Sequence, residues 1–304
     1  MVKKKLVSVV IVSRNRKKEA LICLKKIYTQ TYKPLEVILV DNASEDDIAL
    51  QAKKRFPKTL IVQSKINTGA AGGRNLGLKK AKGEYLLFMD DDAIADRKMI
   101  QELIRVMESD KKIGIVQPKI YYLERKSIIQ GAGHGINLLT GRVFGIGVGE
   151  KDLGQYDNLS DIPMVGCTWM VRKGVFSKIG TYDEDYFIPY EDSDFSIRAT
   201  KVGFRVCFAP QAKVWHSGHS NSAIPPSLRY FGITSAERAY RVSRNKIIFM
   251  KKHAPILNLF FFLIVLVPIY SLIHSSVMLL SKRFDILIHY WRGLFSGFIY
   301  VFVK

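Results

Sequence analysis

From Ala254 to Ser281 the chain carries no charged residue. Wound as a helix at about 1.5 Å per residue, that stretch is about 40 Å long, enough to cross a bilayer. Its centre, Ile256 to Ile273, reads ILNLFFFLIVLVPIYSLI. Buried helices of soluble domains rarely run so far without a charge, so the segment is read as membrane-inserted. Pro268 admits a kink, a hairpin or a re-entrant form. Lys251-Lys252 precede the stretch and Lys282-Arg283 follow it, so flanking charge sets no orientation. The aromatic, amphipathic tail from Phe284 to Lys304, with Trp291, Arg292, Phe295 and Phe298, reads as an interfacial helix or a second span.

The amino terminus is different. Behind MVKKK, the apolar run LVSVVIV is seven residues long and ends in Ser13-Arg14-Asn15-Arg16 with no small-residue cleavage site. It reads as a buried strand rather than a signal peptide. Beyond it strand and helix alternate. Leu6–Val12, Leu35–Val40, Thr59–Val62 and Tyr85–Met89 read as strands, and Lys18–Gln30, Asp46–Phe56 and Ala70–Ala81 as helices. Such units build a parallel sheet with right-handed crossovers, whose ligands bind at the carboxyl ends of the strands. Glycines accumulate between about Lys119 and Pro163, which reads as a loop-rich insert. Met164–Val171, Phe204–Phe208 and Lys213–Trp215 return to strand character, and Lys173–Ile179 and Glu191–Val202 to helix.

Lys and Arg number 47 against 27 Asp and Glu, a formal charge of +20, which favours polyanionic company. Arg229–Lys252 alone holds seven basic residues and one acidic, just before the uncharged stretch. The three cysteines lie far apart and form no disulfide framework or metal pair, which suits a reducing compartment.

Polar clusters follow three of the strands. Asp90-Asp91-Asp92 ends YLLFM. Adjacent carboxylates repel unless a cation neutralises them, and hard oxygen donors suit Mg²⁺ or Mn²⁺, which in turn grips a diphosphate. The plain alternative is a solvated acidic turn. Asp41, ending LEVILV, is placed to accept from a base or a ribose, or to close an Asx-turn. Asn67 to Gly77 is glycine-rich at a helix start and suits phosphate approach or tight helix–sheet packing. It is neither a Walker loop nor a dinucleotide fingerprint. Tyr190-Glu191-Asp192-Ser193-Asp194 opens a helix, where acidic residues either cap it or supply a general base. His216 is a metal ligand or a structural histidine. Trp169 is core or a platform for a sugar.

Taken together, VSVVIVSRNR, VILVDNASEDD, NTGAAGGRNLG, YLLFMDDDA and the stretch from VGCTWMVRKG to QAKVWH resemble the family-2 glycosyltransferases, inverting enzymes of the GT-A fold. The resemblance covers about residues 6–217. The C-terminal RVSRNKIIFMKKHAP and the hydrophobic span resemble the membrane-associated branch with rhamnosyl- and galactofuranosyl-type transferases. It implies a mostly parallel α/β sheet flanked by helices. It also implies that Asp41 and Arg74 hold the nucleotide base with Ser13 and Arg14 nearby, and that Asp91 meets the ribose. Asp90 and Asp92 form the DxD pair, Asp92 binds the metal with His216, and Asp192 is the catalytic base. Trp169 and Glu191 are expected beside the acceptor. Because the middle of the triad is also Asp, which two carboxylates meet the metal stays open.

The expected organisation is a catalytic domain over 1–225, with a nucleotide-binding half (1–92) and an acceptor half (93–225). A basic connecting helix (226–253) and a membrane-associated segment (254–304) follow. The expected partners are a nucleotide-diphosphate sugar, a divalent metal (Mg²⁺ or Mn²⁺), a lipid-linked or glycan acceptor and a cell membrane, with the catalytic domain cytoplasmic. Two other readings compete. A phosphohydrolase also uses D-x-D, but after its first strand. A nucleic-acid-binding protein would use the positive charge, but no RNA-binding or zinc motif is present and the charge sits beside the hydrophobic span.

Overall fold

The computed structural model describes residues 4–217, 228 and 232–303. The expected boundary at 225/226 lies outside the described residues, as do 229–231 at the start of the basic stretch. The chain forms two compact units. One runs through the strands to 135, with 145–187 and the stretch from 191 to the end of the last strand. The other combines 136–144, 188–190 and the C-terminal helices.

The strands are β1 (Val7–Ser13), β2 (Leu35–Asn42), β3 (Leu60–Ser64), β4 (Tyr85–Asp90), β5 (Ala93–Ala95), β6 (Ile113–Tyr122), β7 (Ile129–Gly131), β8 (His134–Asn137), β9 (Arg142–Gly145), β10 (Thr168–Arg172) and β11 (Arg205–His216), all in the first unit except half of β8 and most of β9. The helices of the first unit are α1 (Lys17–Tyr28), α2 (Ile48–Arg55), α3 (Gly69–Leu78), α4 (Met99–Ser109), α5 (Lys173–Ile179) and α6 (Glu191–Lys201). The sheet order is β3-β2-β1-β4-β10-β6-β11-β5, with β7 on β6 and β8-β9 as a separate ribbon. β1 to β4 are parallel to one another, as the alternation predicts. β10 then runs antiparallel between β4 and β6.

Each central strand is apolar on both sides because each side meets a core. Val7, Val9 and Ile11 face Leu24 and Ile27 of α1 and Leu103 and Met107 of α4. Val10, Ile38, Leu86 and Phe88 face Ala71, Trp169 and Phe195. A strand covered on both faces shows a continuous apolar run rather than alternation. The glycines of α3 serve the second contact. A methyl added to Gly73 would lie 2.5 Å from Val12 Cγ1, and one added to Gly77 would overlap Val10. Here the packing reading of the glycine-rich motif holds.

Three sequence expectations are corrected. The stretch 119–163 is not simply loop: β6 runs into it to Tyr122, and β7, β8 and β9 lie within it. Lys119, 2% exposed, is held by Asp152 (3.0 Å) and Asp157 (2.7 Å), and Tyr121 Oη donates to Asp152 (2.5 Å). This network ties the glycine-rich chain to the sheet. Phe204–Phe208 and Lys213–Trp215 are one strand, β11, with a register shift between Ala209 and Lys213, where Pro210 cannot donate to the ladder. Strand character over Met164–Val171 begins only at Thr168.

The second unit holds α7 (Ala236–His253), α8 (Ile256–Leu280) and α9 (Phe284–Val303). α8 and α9 are each long and apolar enough to cross a membrane, and most of their apolar surface is uncovered, including Leu257, Ile264, Leu272, Phe295 and Phe302. Pro268 neither breaks α8 nor turns it back: Phe262–Leu266 forms a π-helical turn just before it, and the helix continues. A wider turn accommodates the missing Pro N–H. α9 packs on α7 through Gly293 and Gly297. A methyl on Gly293 would overlap Ser243 and the Tyr240 carbonyl, and one on Gly297 would lie 3.0 Å from Ile247. Small residues at this spacing let two helices approach closely.

The glycines give the fold a direct test. Gly77→Val drives a branched side chain into Val10 and is expected to cost about 1–3 kcal/mol through overpacking. Gly174→Ala on α5 meets nothing within 4 Å and is expected to leave stability level or slightly raised. Thermal melts of the two detergent-solubilised variants check this; equal loss in both would refute the packing role.

Candidate active site

The site lies in the first unit, at the carboxyl ends of β1, β2 and β4. Parallel register sets Ser13 beside Asp41 and Val12 beside Asp90. The antiparallel β10 brings Cys167 opposite Asp90, whose N–H donates to the Cys167 carbonyl at 3.3 Å. β11 ends at His216, paired with Ala93 of β5. Four chain segments distant in sequence thus converge on the acidic triad.

Asp41 is buried and ties down the loop after β2 by accepting from the Ser44 N–H, three residues on, at 2.9 Å; its other oxygen accepts from Gln63 Nε2 at 3.3 Å. Asn42, which the sequence reading passes over, holds the start of α3. It accepts from the Thr68 N–H (3.0 Å) and hydroxyl (2.8 Å) and donates to the Gly69 carbonyl (3.0 Å).

The triad is neutralised from several sides. Ser13 Oγ donates to Asp91 at 2.7 Å. Arg16 places one guanidinium nitrogen 3.2 Å from Asp91 and another 3.0 Å from Asp92. Arg14, expected near the nucleotide, is exposed, and Arg16 is the arginine that reaches the carboxylates. Asn15 sits between them at φ 54°, a left-handed turn that Asn tolerates better than most residues. The signal for Arg16 in the sequence is that Asn, which reverses the chain after Ser13-Arg14. Burial pushes the Asp91 carboxyl up to about 7 although Arg16 and Ser13 oppose it. Burial also opposes ionisation of Asp92, but His216, Ser217 and Arg16 outweigh it and hold the group well below the usual carboxylate range.

His216 Nδ1 lies 2.8 Å from Gln130 Oε1. Its Nε2 lies 3.1 Å from Asp92 and 3.7 Å from Asp90. Gln130 accepting from Nδ1–H leaves Nε2 to face the carboxylates, the arrangement in which an imidazole serves a metal. Burial disfavours the charged ring, but Cys167, Asp92 and Asp90 together raise its pKa well above the ordinary value. His216 Nε2 thus faces both Asp90 and Asp92, and one donor atom from each of Asp90, Cys167 and His216 lies within 4.8 Å of the other two, so the donor types here fit a divalent cation.

Arg74 departs from its expected place at the nucleotide base. It is buried, 3.3 Å from Asp90 and ion-paired to Glu191, with its guanidinium 4.6 Å over the Trp169 ring. Trp169 itself is 0% exposed, and its indole N–H donates to Tyr182 Oη at 2.9 Å. A ring enclosed in this way offers no face to an acceptor, so Trp169 is a core residue. Glu191, 2% exposed and held by Arg74, is likewise withdrawn from any acceptor.

The rest of the acidic helix start divides by environment. Asp194 is fully buried and paired with Arg198 at 2.7 Å. Asp192 is half-buried. Its Oδ1 accepts from the Ser193 N–H at 2.6 Å, and among the described residues no hydrogen bond engages Oδ2. The helix N-terminus is expected to favour its ionised form, but burial outweighs that and raises the carboxyl. His134 lies across Gly166 from it: a methyl there would stand 3.1 Å from the His134 ring and 3.9 Å from Asp192 Oδ2. Burial lowers the His134 pKa, which favours the neutral ring. Only its glycine-flanked setting, GAGHG, hints at it in the sequence.

The Arg74 arrangement can be tested. Removing one partner of a buried pair leaves an uncompensated charge, typically costing about 3–5 kcal/mol. Arg74→Gln is expected to lower the melting temperature markedly. Arg74→Lys is expected not to restore it, because an ammonium cannot fork between two carboxylates and stack on Trp169. Arg74→Gln with Glu191→Gln is expected to recover part of the loss; additive losses would refute the coupling.

Comparison with known proteins agrees with this geometry. The glycosyl transferase family 2 profile matches residues 8–180, more than half of the chain. A Shigella flexneri protein described as dTDP-rhamnosyl transferase RfbF is 25% identical over 81% of this chain and 80% of its own length. The Escherichia coli UDP-Glc:alpha-D-GlcNAc-diphosphoundecaprenol beta-1,3-glucosyltransferase WfaP is 33% identical over 41% of this chain and 50% of its own. The chain spans only about half the length of WfaP and of an uncharacterised Haemophilus influenzae glycosyltransferase that it also matches. Among solved structures, the Pyrobaculum calidifontis mannosyltransferase PcManGT, in complex with GDP-Man and Mn²⁺, aligns over 100% of this chain and 87% of its own. Its TM-score is 0.59 at 17% identity, a likeness of fold. The first 349 residues of Staphylococcus aureus TarS, in complex with UDP-GlcNAc, align over 84% and 71% at a TM-score of 0.56 and 18% identity. The fold is GT-A, and the chain belongs to glycosyl transferase family 2.

Proposed function

We propose that the chain transfers a sugar, with inversion, from a nucleoside-diphosphate sugar to a hydroxyl of a lipid-linked glycan acceptor at a membrane, with a divalent metal. The observation that carries this reading is Arg74. It joins Asp90, in the triad, to Glu191, the neighbour of Asp192, so two acidic groups a hundred residues apart serve one site.

In this reading the nucleotide occupies the strand ends that hold Ser13, Arg14, Asp41 and Asp91, with Asp41 toward the base and Asp91 toward the ribose. Asp90, Asp92 and His216 hold Mg²⁺ or Mn²⁺, and the bound ion screens the charge of the diphosphate. Arg74 positions Asp90 and Glu191 rather than touching the base. Asp192 takes the proton of the attacking hydroxyl. Its free oxygen supports that role, and so does its raised pKa, which moves the carboxyl toward the strength a general base needs near neutrality. Solved neighbours that hold UDP-GlcNAc, or GDP-Man with Mn²⁺, support the donor class and the metal. The diphosphoundecaprenol acceptor in the WfaP name, with α8 and α9 here, supports a lipid-linked acceptor. The catalytic unit is placed on the cytoplasmic side, since a charged donor does not cross hydrocarbon.

Three measurements test this. A nucleotide-sugar panel with Mn²⁺ or Mg²⁺ is expected to show nucleoside diphosphate release with one donor; no release from any donor would refute the transferase reading of this site. Asp192→Asn is expected to keep donor binding and to slow single-turnover transfer by about 10²–10⁴-fold, whereas near-native transfer by it alongside an inactive Glu191→Gln would reassign the base. The full-length chain is expected to stay in the membrane pellet through an alkaline carbonate wash; release by the wash would remove the membrane from the proposal.

A further inference from the structure

Cys167 accepts from the Asp90 N–H through its carbonyl, and its thiol, 3.5 Å from Thr168 Oγ1, stands beside the acidic motif. It immediately precedes β10 and sits at φ 63°, the left-handed region that residues with a Cβ avoid. Strain of this kind persists where surrounding structure holds it, and it clusters at functional positions. The turn brings the thiol to the metal-facing side of the site. One donor atom from each of Asp90, Cys167 and His216 lies within 4.8 Å of the other two. Cys23 and Cys207 are engaged elsewhere, Cys23 with the Asp90 carbonyl at 3.7 Å and Cys207 with Asp161 at 3.5 Å.

A carboxylate, a thiolate and an imidazole form a donor set unlike the all-oxygen set that hard ions prefer. Thiolate and imidazole favour Zn²⁺ and Co²⁺ over Mg²⁺, and three protein ligands with an open fourth position are the arrangement in which such an ion also takes an outside oxygen. The orientation of His216 is already set by Gln130 at 2.8 Å.

We propose that Asp90, Cys167 and His216 form a three-ligand site for a borderline-soft divalent ion of the Zn²⁺ or Co²⁺ type, with Cys167 supplying sulfur. Binding exchanges the thiol proton for the ion and releases that proton to solvent. A hard ion at the same place uses Asp90, Asp92 and His216 and leaves the sulfur unligated. Cys167 thus sets which metals the site accepts. The inference rests on the metal dependence proposed above, and the test separates the two.

The experiment is a Co²⁺ titration of the full-length, detergent-solubilised, metal-stripped protein. The wild type is expected to develop a sulfur-to-cobalt charge-transfer band in the near ultraviolet. Cys167→Ser is expected to lose the band and at least about tenfold in Co²⁺ affinity, while Cys207→Ser keeps both. Bound Co²⁺ without a band in the wild type, or a band that survives Cys167→Ser, overturns the proposal. Should Cys167→Ser fail to fold, the wild type serves alone: Zn²⁺ is expected to slow alkylation of Cys167, followed by peptide mass spectrometry, and an unchanged rate overturns the proposal. Mn²⁺-dependent binding of a nucleoside diphosphate is measured in parallel. Its presence without the sulfur band sinks this inference and spares the metal reading, whereas the band without any effect of Mn²⁺ on the nucleotide does the reverse.

Discussion

The buried guanidinium of Arg74 is the interaction on which the site depends. Glu191 is 2% exposed, and burial together with Asp192 pushes its carboxyl up to about 7 even beside Arg74. Without that cation the carboxyl would have to take up a proton or open its surroundings to water. The same cation meets Asp90 on its other side and rests on Trp169, itself fixed to Tyr182. Aromatic core, acidic triad and the start of α6 are therefore one connected object. The cost of burying charge is accepted here because it fixes the separation of groups that must act together.

Much of the catalytic unit is legible in the sequence, because its physics is local. Continuous apolar runs such as LEVILV require cover on both faces, and the polar residues after them must then lie at one end of a parallel sheet. What the sequence does not carry is the direction of side chains across long separations. Arg74 looks like a nucleotide ligand until the antiparallel return of β10 and the placing of α6 put it against Glu191. Trp169 looks like a sugar platform until its strand proves to be central. Arg16 is overlooked in favour of Arg14 because one left-handed residue decides which of the two faces the carboxylates. The stretch 119–163 reads as loop because its glycines mask short strands and because the Lys119 network binds residues more than thirty positions apart.

The C-terminal helices show the reverse. Their length and lack of charge are plain in the sequence, and so is Pro268, yet the proline's effect depends on geometry that hydropathy does not contain. A π-helical turn takes up the missing donor and the helix runs on. The likeness of α7 to a basic surface helix is likewise only half the account, since Ala239, Ile247 and Met250 on its other side are buried.

The glycines of α9 carry a consequence for handling the molecule. Gly293 and Gly297 allow the last helix to lie so close to α7 that Ser243 Oγ comes within 3.0 Å of the Tyr290 carbonyl. The final twenty residues are a structural wall rather than a removable anchor. A polypeptide ended after α7 to dispense with lipid would bare a strip of small and aliphatic side chains shaped to receive a helix. Such a fragment would tend to pair with itself, whereas a fusion appended beyond α9 leaves that seam closed.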